Sequence, residues 1–152
     1  MAFDTHNGTR GARQPGRNRF ERWANLRMAQ RLRRKGDRSG NKLVLVTIGK
    51  KTGEERMTPV RWFPGDGGAR LVVASASGAP RNPSWYYNIA ADPDRVRIEY
   101  AGKRIDVTAE QLHGSDRDAA WQRITAQAPG FAKYERVTDR EIPVIRLTPR
   151  RR

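Results

Sequence analysis

Three short apolar runs separated by glycine-containing turns constrain the fold more than any other feature of this sequence. The first, LVLVTIG from Leu43, is a continuous β-branched stretch typical of a buried strand. The turn KKTG, the run ERMTPVRWF, the turn PGDGG and the run ARLVVASA follow in order. Turns this short join neighbouring antiparallel strands, so the pattern predicts a three-stranded meander. Pro59 predicts an edge position or a bulge in its second strand.

The second half of the chain predicts three more strands and two helices. RVRIEYAG and KRIDVTAEQL alternate cleanly and predict a hairpin around Gly102 and Lys103, and IPVIRLTP predicts a closing strand. A helix is expected over SWYYNIAA, with Asn82 as its cap and Pro83 in its first turn. A second helix follows Ser115, and PGFAKYERVTDR is predicted to be a loop that carries aromatic residues. Six strands, few helices and no βαβ alternation predict a mainly β (α+β) fold that closes as a small barrel.

The front of the chain differs in composition from the rest. Residues 1–42 carry a net charge of +9 out of a total of +15. Residues 1–19 are rich in Gly, Asn and Arg and are predicted to be a disordered basic tail. Residues 20–40 are predicted to be a basic helix and a linker, and residues 41–152 the barrel domain. The helix places Phe20, Trp23 and Met28 near one face, so it either packs on the domain edge or lies on an anionic membrane.

The strong positive charge predicts an anionic partner, such as nucleic acid, acidic lipid headgroups or a polyanionic small molecule. The absence of cysteine excludes disulfides, thiolate nucleophiles and Cys-based metal sites, and no metal site is predicted. The sequence has no apolar run of membrane-spanning length and no secretory signal in its first 20 residues. We therefore expect a cytoplasmic protein, with peripheral contact at the inner face of the membrane as an open alternative.

Two adjacent lysines, Lys50 and Lys51, lie between Gly49 and Gly53 in the first turn. A tight turn flanked by glycines can direct several backbone N–H groups at one anion, and ammonium groups suit phosphate. The alternative is a turn whose lysines are simply solvated. A strand follows this turn, so it is not a Walker A loop, which leads into a helix.

Four segments resemble the deazaflavin-dependent nitroreductase family, actinobacterial oxidoreductases that use coenzyme F420. They are TIGKKTGEERMTPV, the following GG turn, NPSWYYNIAADPDRVRI and TDREIPVIRLTP, in this order between Leu43 and Pro149. The resemblance implies a six-stranded split β-barrel, the fold also used by FMN oxidases. It also implies hydride transfer from the reduced cofactor to a quinone, a nitroaromatic or a similar acceptor. The alternatives are an FMN-dependent enzyme of this fold and a basic module that binds anionic lipid or nucleic acid without catalysis; nucleic acid is the less expected partner.

The resemblance also implies site residues, with the cofactor's phosphate and glutamate tail at the lysine turn and its ring beyond the third strand. The implied cofactor-binding residues are Lys50, Lys51, Thr52, Gly53, Arg56, Pro59, Arg61, Ser75, Ala76, Ser77, Asn82, Pro83 and Trp85. The implied acceptor-binding residues are Trp85, Phe131 and Tyr134, and Ser77 and Tyr134 are the candidate catalytic donors.

The chain departs from the nitro-activating members in three places. No lysine accompanies the serine after the third strand. Ala128, Phe131 and Tyr134 stand where those members have tyrosines, so one hydroxyl remains. Arg61 stands where an apolar or aromatic residue is common.

Overall fold

The computed structural model describes residues 3–15 and 19–150. Within these residues the chain forms six strands, four α-helices and two single 3₁₀ turns. The strands are β1 Lys42–Ile48, β2 Glu55–Pro64, β3 Arg70–Val73, β4 Val96–Tyr100, β5 Lys103–Gln111 and β6 Val144–Pro149. The α-helices are α1 Arg19–Lys35, α2 Ser84–Ala91, α3 Gly114–Gln127 and α4 Gly130–Val137. The 3₁₀ turns are Asp66–Gly68 and Ala76–Gly78.

The six strands close into an antiparallel barrel in the order β1-β2-β3-β6-β5-β4. This arrangement confirms the predicted meander and the predicted mainly β, six-stranded barrel. Alternate residues of each strand face inward and form one buried cluster, which α2 completes. The inward side chains include Leu43, Leu45, Ile98, Ile145 and Leu147, all fully buried.

Two groups of helices cover the outside of the barrel. On one side, Val44 and Val46 of β1 pack against Ala29 and Leu32 of α1. On the other side, α3 and α4 pack against the outward face of β2, β3 and β6. This second cluster contains Phe63, Leu71, Leu112, Ala120, Trp121, Ile124, Ala128, Ile142 and Val144. The outward face of β2 therefore lies between two helical layers.

β2 changes partner along its length, and this change opens the barrel locally. Residues 55–61 pair with β1, whereas β3 pairs only with residues 62–64. If the β2–β3 register continued, Pro59 would lie opposite Ser75, but the ladder ends at Trp62 and Val72. Residues 57–62 are only partly buried although they lie within the strand. We call the region between residues 55–61 and residues 74–78 the split; Pro59 lies on its unpaired edge, as predicted.

Residues 3–15 differ from the predicted disordered tail, because they lie along the barrel with specific hydrogen bonds. The backbone N–H groups of Thr9 and Arg10 donate to the carboxylate of Asp139 at 2.7 and 3.1 Å, and the Thr9 hydroxyl donates to it as well. These donors lower the pKa of Asp139 to about 2. Residues 1–2 and 16–18 lie outside the described residues, and the predicted boundaries near residues 19 and 40 stay predictions.

The helices correct three further expectations. The segment predicted to be an aromatic loop forms α4, which begins just after Pro129. Asn82 does not cap α2, because Pro83 is the cap residue and Asn82 is buried in contacts elsewhere. His113 precedes α3 as its cap residue in place of Ser115. Among the described residues, no helix is long and apolar enough to cross a membrane.

Candidate functional site

The lysine turn, residues 49–53, folds as a single helical turn that ends in a left-handed glycine. The N–H of Gly53 donates to the carbonyl of Gly49 at 2.8 Å, and the N–H of Gly49 donates to the carbonyl of Glu54 at 2.7 Å. Gly53 adopts φ +74°, which a residue with a side chain adopts only at a cost. Lys50 and Lys51 are exposed, and neither has an ion pair with a described residue.

A buried amide, Asn88 of α2, holds this turn against the barrel. Its side-chain oxygen accepts from the N–H of Lys50 at 3.0 Å, and its amide nitrogen donates to the Thr47 hydroxyl at 3.2 Å. The N–H groups of Lys51 and Thr52 make no hydrogen bond with the described part of the chain. They are free to bind an anion beside the two ammonium groups. Asn88 is not among the site residues predicted from the sequence, although a lone amide within the apolar segment SWYYNIAA is a signal that could have identified it.

A left-handed turn, Ala76–Gly78, lies on the other side of the split. Ala76, Ser77 and Gly78 adopt φ values of +46°, +56° and +80°. Such a conformation costs about 1–3 kcal/mol for each residue that is not glycine, and such residues cluster at functional sites. A Cβ at Gly78 would lie 2.4 Å from a methyl group of Val137, so α4 packs directly on this turn. Ser77 is exposed at its apex.

The buried guanidinium of Arg140 maintains this turn. It donates to the carbonyls of Ser75 at 2.7 Å, Ala74 at 2.9 Å and Ala79 at 3.1 Å, and to the amide oxygen of Asn82 at 2.5 Å. Only 3% of Arg140 is exposed, and it has no carboxylate partner among residues 3–15 and 19–150. Burial lowers the pKa of Arg140, yet a guanidinium stays protonated at any physiological pH.

Three aromatic rings form a wall beside the split, which we call the aromatic wall. The ring centroids of Phe63 and Phe131 are 5.8 Å apart, and those of Phe131 and Tyr134 are 5.6 Å apart, both in edge contact. The guanidinium of Arg61 lies 5.0 Å from the centre of the Phe63 ring. Phe131 and Tyr134 are partly exposed, so the wall is open to a planar ligand.

The predicted site residues divide into three groups in the structure. The lysine turn and Arg56 lie at one end, where the Arg56 guanidinium is 3.4 Å from the Thr52 hydroxyl. Pro59 and Arg61 share the outward face of β2, and continuing the β2–β3 register would place Ser75 opposite Pro59 across the split. Strand alternation directs Arg56 to the opposite face of β2 from Pro59 and Arg61.

Two predicted contacts differ from the structure. Trp85 is only 6% exposed and packs inside the barrel, whereas Phe131 and Tyr134 belong to the outer cluster. The structure therefore does not bring these three residues together as one acceptor surface. Asn82 is buried and hydrogen-bonded to Arg140 and to the carbonyl of Thr5, so its side chain helps to hold Arg140 under the left-handed turn Ala76–Gly78.

A profile of the F420H(2)-dependent quinone reductase family matches residues 19–149. The chain belongs to this family. A curated F420H(2)-dependent quinone reductase of Mycobacterium tuberculosis (strain H37Rv) is 42% identical over 111 residues, which are 71% of this chain and 73% of the relative. Members of the F420H(2)-dependent quinone reductase family are oxidoreductases that use F420. Membership of this family confirms the predicted resemblance, the predicted enzyme class and the predicted deazaflavin cofactor.

Solved structures agree with this membership of the F420H(2)-dependent quinone reductase family. An F420-H2 dependent reductase is 34% identical, with a TM-score of 0.63, and the match covers 70% of this chain and 93% of that one. A domain-swapped dimer is 30% identical, also with a TM-score of 0.63, and the match covers 84% and 96% of the two chains. These structures share the split-barrel architecture that the resemblance predicted.

The described residues of this family member fit a long, anionic cofactor with a planar ring. Unpaired N–H groups and two ammonium groups suit phosphate and carboxylate oxygens at one end. The buried Nε of Arg61 has no hydrogen-bond partner, so the end of the site beside the aromatic wall also contains a donor without an acceptor. The partly exposed rings of Phe131 and Tyr134 in the aromatic wall offer apolar contacts at the other end.

We predict that Arg140→Met lowers the free energy of unfolding by about 2–4 kcal/mol, because several buried oxygen atoms lose a charged donor. Arg140→Lys should recover part of this loss, since an ammonium group can reach fewer of the acceptors. Urea denaturation measures both changes. The control is Arg95→Met, because Arg95 is exposed and its side chain pairs with Asp92 alone among residues 3–15 and 19–150. Equal stability of Arg140→Met and wild type would contradict this account of the turn.

Proposed function

We propose that this chain binds reduced F420 across the split and transfers hydride from it to a quinone that lies against the aromatic wall. One observation supports this arrangement best. The β2–β3 ladder ends at Trp62 and Val72, and the unpaired region beyond it has the lysine turn on one side and the left-handed turn Ala76–Gly78 on the other. When bound, the cofactor supplies the hydride. The protein's own contribution is to bind both molecules, orient them and exclude water.

The lysine turn is the proposed site of the cofactor's phosphate and glutamate carboxylates. Lys50 and Lys51 contribute two positive charges, and the N–H groups of Lys51 and Thr52 contribute directed donors. Gly53 permits the turn, and Arg56 reaches its rim. Asn88 fixes the turn through the Lys50 N–H, so the donors are in place before the cofactor arrives.

The left-handed turn is the proposed support for the cofactor ring. Ser75, Ala76 and Ser77 face Pro59 across the split, and Pro59 restricts the backbone on the opposite edge. Asn82 and Pro83 act indirectly, since they set the start of α2 and the position of Arg140. Trp85 supports this region from the barrel interior.

The acceptor is proposed to contact Phe131 and Tyr134. A carbonyl oxygen that gains negative charge during reduction needs a hydrogen-bond donor, and the hydroxyls of Ser77 and Tyr134 are the candidates. α4 packs on the left-handed turn, which brings its residues to the same end of the split. Phe131 has no hydroxyl, so we expect quinones to be reduced well and bulky bicyclic nitroimidazoles to be poorly activated.

Titration of the purified chain with F420 and with FMN tests the cofactor. We expect F420 to bind more tightly, because its glutamate tail adds carboxylates that the lysine turn can bind. Fluorescence quenching of each cofactor measures its dissociation constant. FMN binding as tight as F420 binding would overturn the proposal in favour of an FMN enzyme, and binding of neither would favour a module without catalysis.

Replacing both lysines of the turn, Lys50→Ala with Lys51→Ala, should weaken F420 binding while the fold is retained. Each charge-assisted contact contributes about 1.5–3 kcal/mol, reduced by solvent exposure. We therefore expect a combined loss of about 2–3 kcal/mol, on the order of 30- to 150-fold in the dissociation constant. The loss should shrink at high salt, because exposed charges are screened.

The matched control replaces Lys103 and Arg104, the two cations that begin β5 at the β4–β5 hairpin. The control variant Lys103→Ala with Arg104→Ala should bind F420 as the wild type does. Unchanged affinity of the lysine-turn variant at low salt, or an equal loss in the control, would mean that the turn is not the anion site.

We also propose that α1 contacts an anionic membrane surface. Its C-terminal half is anchored by buried Ala29 and Leu32, but its N-terminal half exposes 73% of Phe20 and 56% of Trp23. At 100° per residue, these two rings share the outward face with Arg27 and Arg31. Aromatic rings among arginines are typical of helices that lie in the headgroup region of anionic lipids.

Sedimentation with vesicles of phosphatidylglycerol and phosphatidylcholine tests this contact. We expect Phe20→Ser with Trp23→Ser to reduce the bound fraction severalfold, because both rings lose their apolar insertion. Met28→Ser is the control, because Met28 is exposed but lies about 80° from Phe20 and about 140° from Trp23 around the helix, and so does not share one face with both rings as the sequence predicted. Equal sedimentation of both variants would contradict the proposal. So would wild-type binding to vesicles of phosphatidylcholine alone that is as strong as its binding to the vesicles with phosphatidylglycerol. The predicted cytoplasmic location stays a prediction.

A further inference from the structure

Arg61 is a cation without a polar partner. Its side chain makes no hydrogen bond and no ion pair with any residue that the structure describes, and its Nε is buried. Its guanidinium lies over the face of the Phe63 ring, 5.0 Å from the ring centre. Arg70 is a useful comparison, because it also stacks on aromatic rings but donates to the Tyr100 hydroxyl at 2.9 Å. The Nε of Arg70 is also buried without a partner, but the Arg70 guanidinium has one acceptor, whereas the Arg61 guanidinium has none among the described residues.

Arg61 is too far from the lysine turn to share its anion. In the β1–β2 ladder, Arg61 pairs with Lys42 at one end and Glu55 pairs with Ile48 at the turn end. Six residues of strand separate the two positions, which is about 20 Å. An anion at Arg61 is therefore a different group from the anion at the lysine turn.

The surroundings of Arg61 belong to the acceptor end of the split. Arg61 shares the outward face of β2 with Phe63, whose ring touches Phe131 of the aromatic wall. Lys42, its cross-strand neighbour, adds a second exposed positive charge on the same face. A planar ligand against the wall would thus have cationic groups at its border.

We infer that Arg61 binds a negatively charged group of the acceptor, so that the enzyme prefers quinones that carry a sulfonate or carboxylate over neutral quinones of the same ring system. The family resemblance implies that Arg61 binds the cofactor, whereas its position beside the aromatic wall favours a contact with the acceptor. A guanidinium binds an oxyanion through two parallel N–H donors, and no N–H of the Arg61 guanidinium has an acceptor among the described residues. This inference rests on the proposed function, because it assumes that the acceptor lies against the wall.

Calorimetry with the chain saturated with oxidised F420 tests the inference, because no hydride is then available and binding alone is measured. The probes are a naphthoquinone sulfonate and the parent naphthoquinone. We expect wild type to bind the sulfonate more tightly than the parent. Arg61→Met should weaken sulfonate binding about 10- to 100-fold and change parent binding less than about threefold. Arg61→Lys should retain part of the preference, and Arg70→Met should behave as wild type.

Fluorescence titration with F420 accompanies each variant and separates the outcomes. Equal wild-type affinity for the two quinones would overturn the inference. So would a loss of F420 affinity in Arg61→Met as large as the loss of sulfonate affinity, because Arg61 would then serve the cofactor. Absence of F420 binding to the wild type would overturn the proposed function and the inference with it, whereas the first two results leave the proposed function intact.

Discussion

The guanidinium of Arg140 connects the parts of the chain that form the site. Its hydrogen bonds to the carbonyls after β3 keep Ala76 and Ser77 in a conformation that neither would adopt alone. The same group binds Asn82 at the start of α2, and the neighbouring Asp139 binds the segment of residues 3–15. Burial of a cation lowers the stability of the fold unless all of its hydrogen-bond acceptors are in place, and the acceptors of Arg140 among the described residues are neutral oxygen atoms. Arg140 therefore couples the segments that carry these acceptors.

The two proposed anion-binding sites lie at separate ends of the split, so the proposed function assigns the cofactor tail to one end and the acceptor to the other. The lysine turn is exposed and built from local backbone geometry, which suits the flexible acidic tail of a cofactor. Arg61 is partly buried beside aromatic rings, which suits a charged group attached to a planar ring. Between them, the early end of the β2–β3 ladder supplies the open edge.

Local sequence signals predicted the barrel and the lysine turn, because glycine turns and strand alternation act over a few residues. The missed residues depend on distant partners. Arg140 contacts Asn82, 58 positions away, and Asn88 contacts Lys50, 38 positions away. α4 was predicted as a loop because Pro129 and Gly130 read as a turn, whereas tertiary packing on Gly78 stabilises the helix. The ordered path of residues 3–15 likewise depends on Asp139, which composition alone cannot reveal.

Hydrogen exchange of backbone amides, with and without saturating F420, tests the central claim that one ligand bridges the two turns flanking the split. The account predicts slower exchange at Lys51 and Thr52 and at Ser77 and Gly78 in the same titration, with the β4–β5 hairpin unchanged. Slower exchange at only one of the two turns would contradict the claim that the cofactor lies across the split. Slower exchange at the β4–β5 hairpin with neither turn affected would contradict it as well.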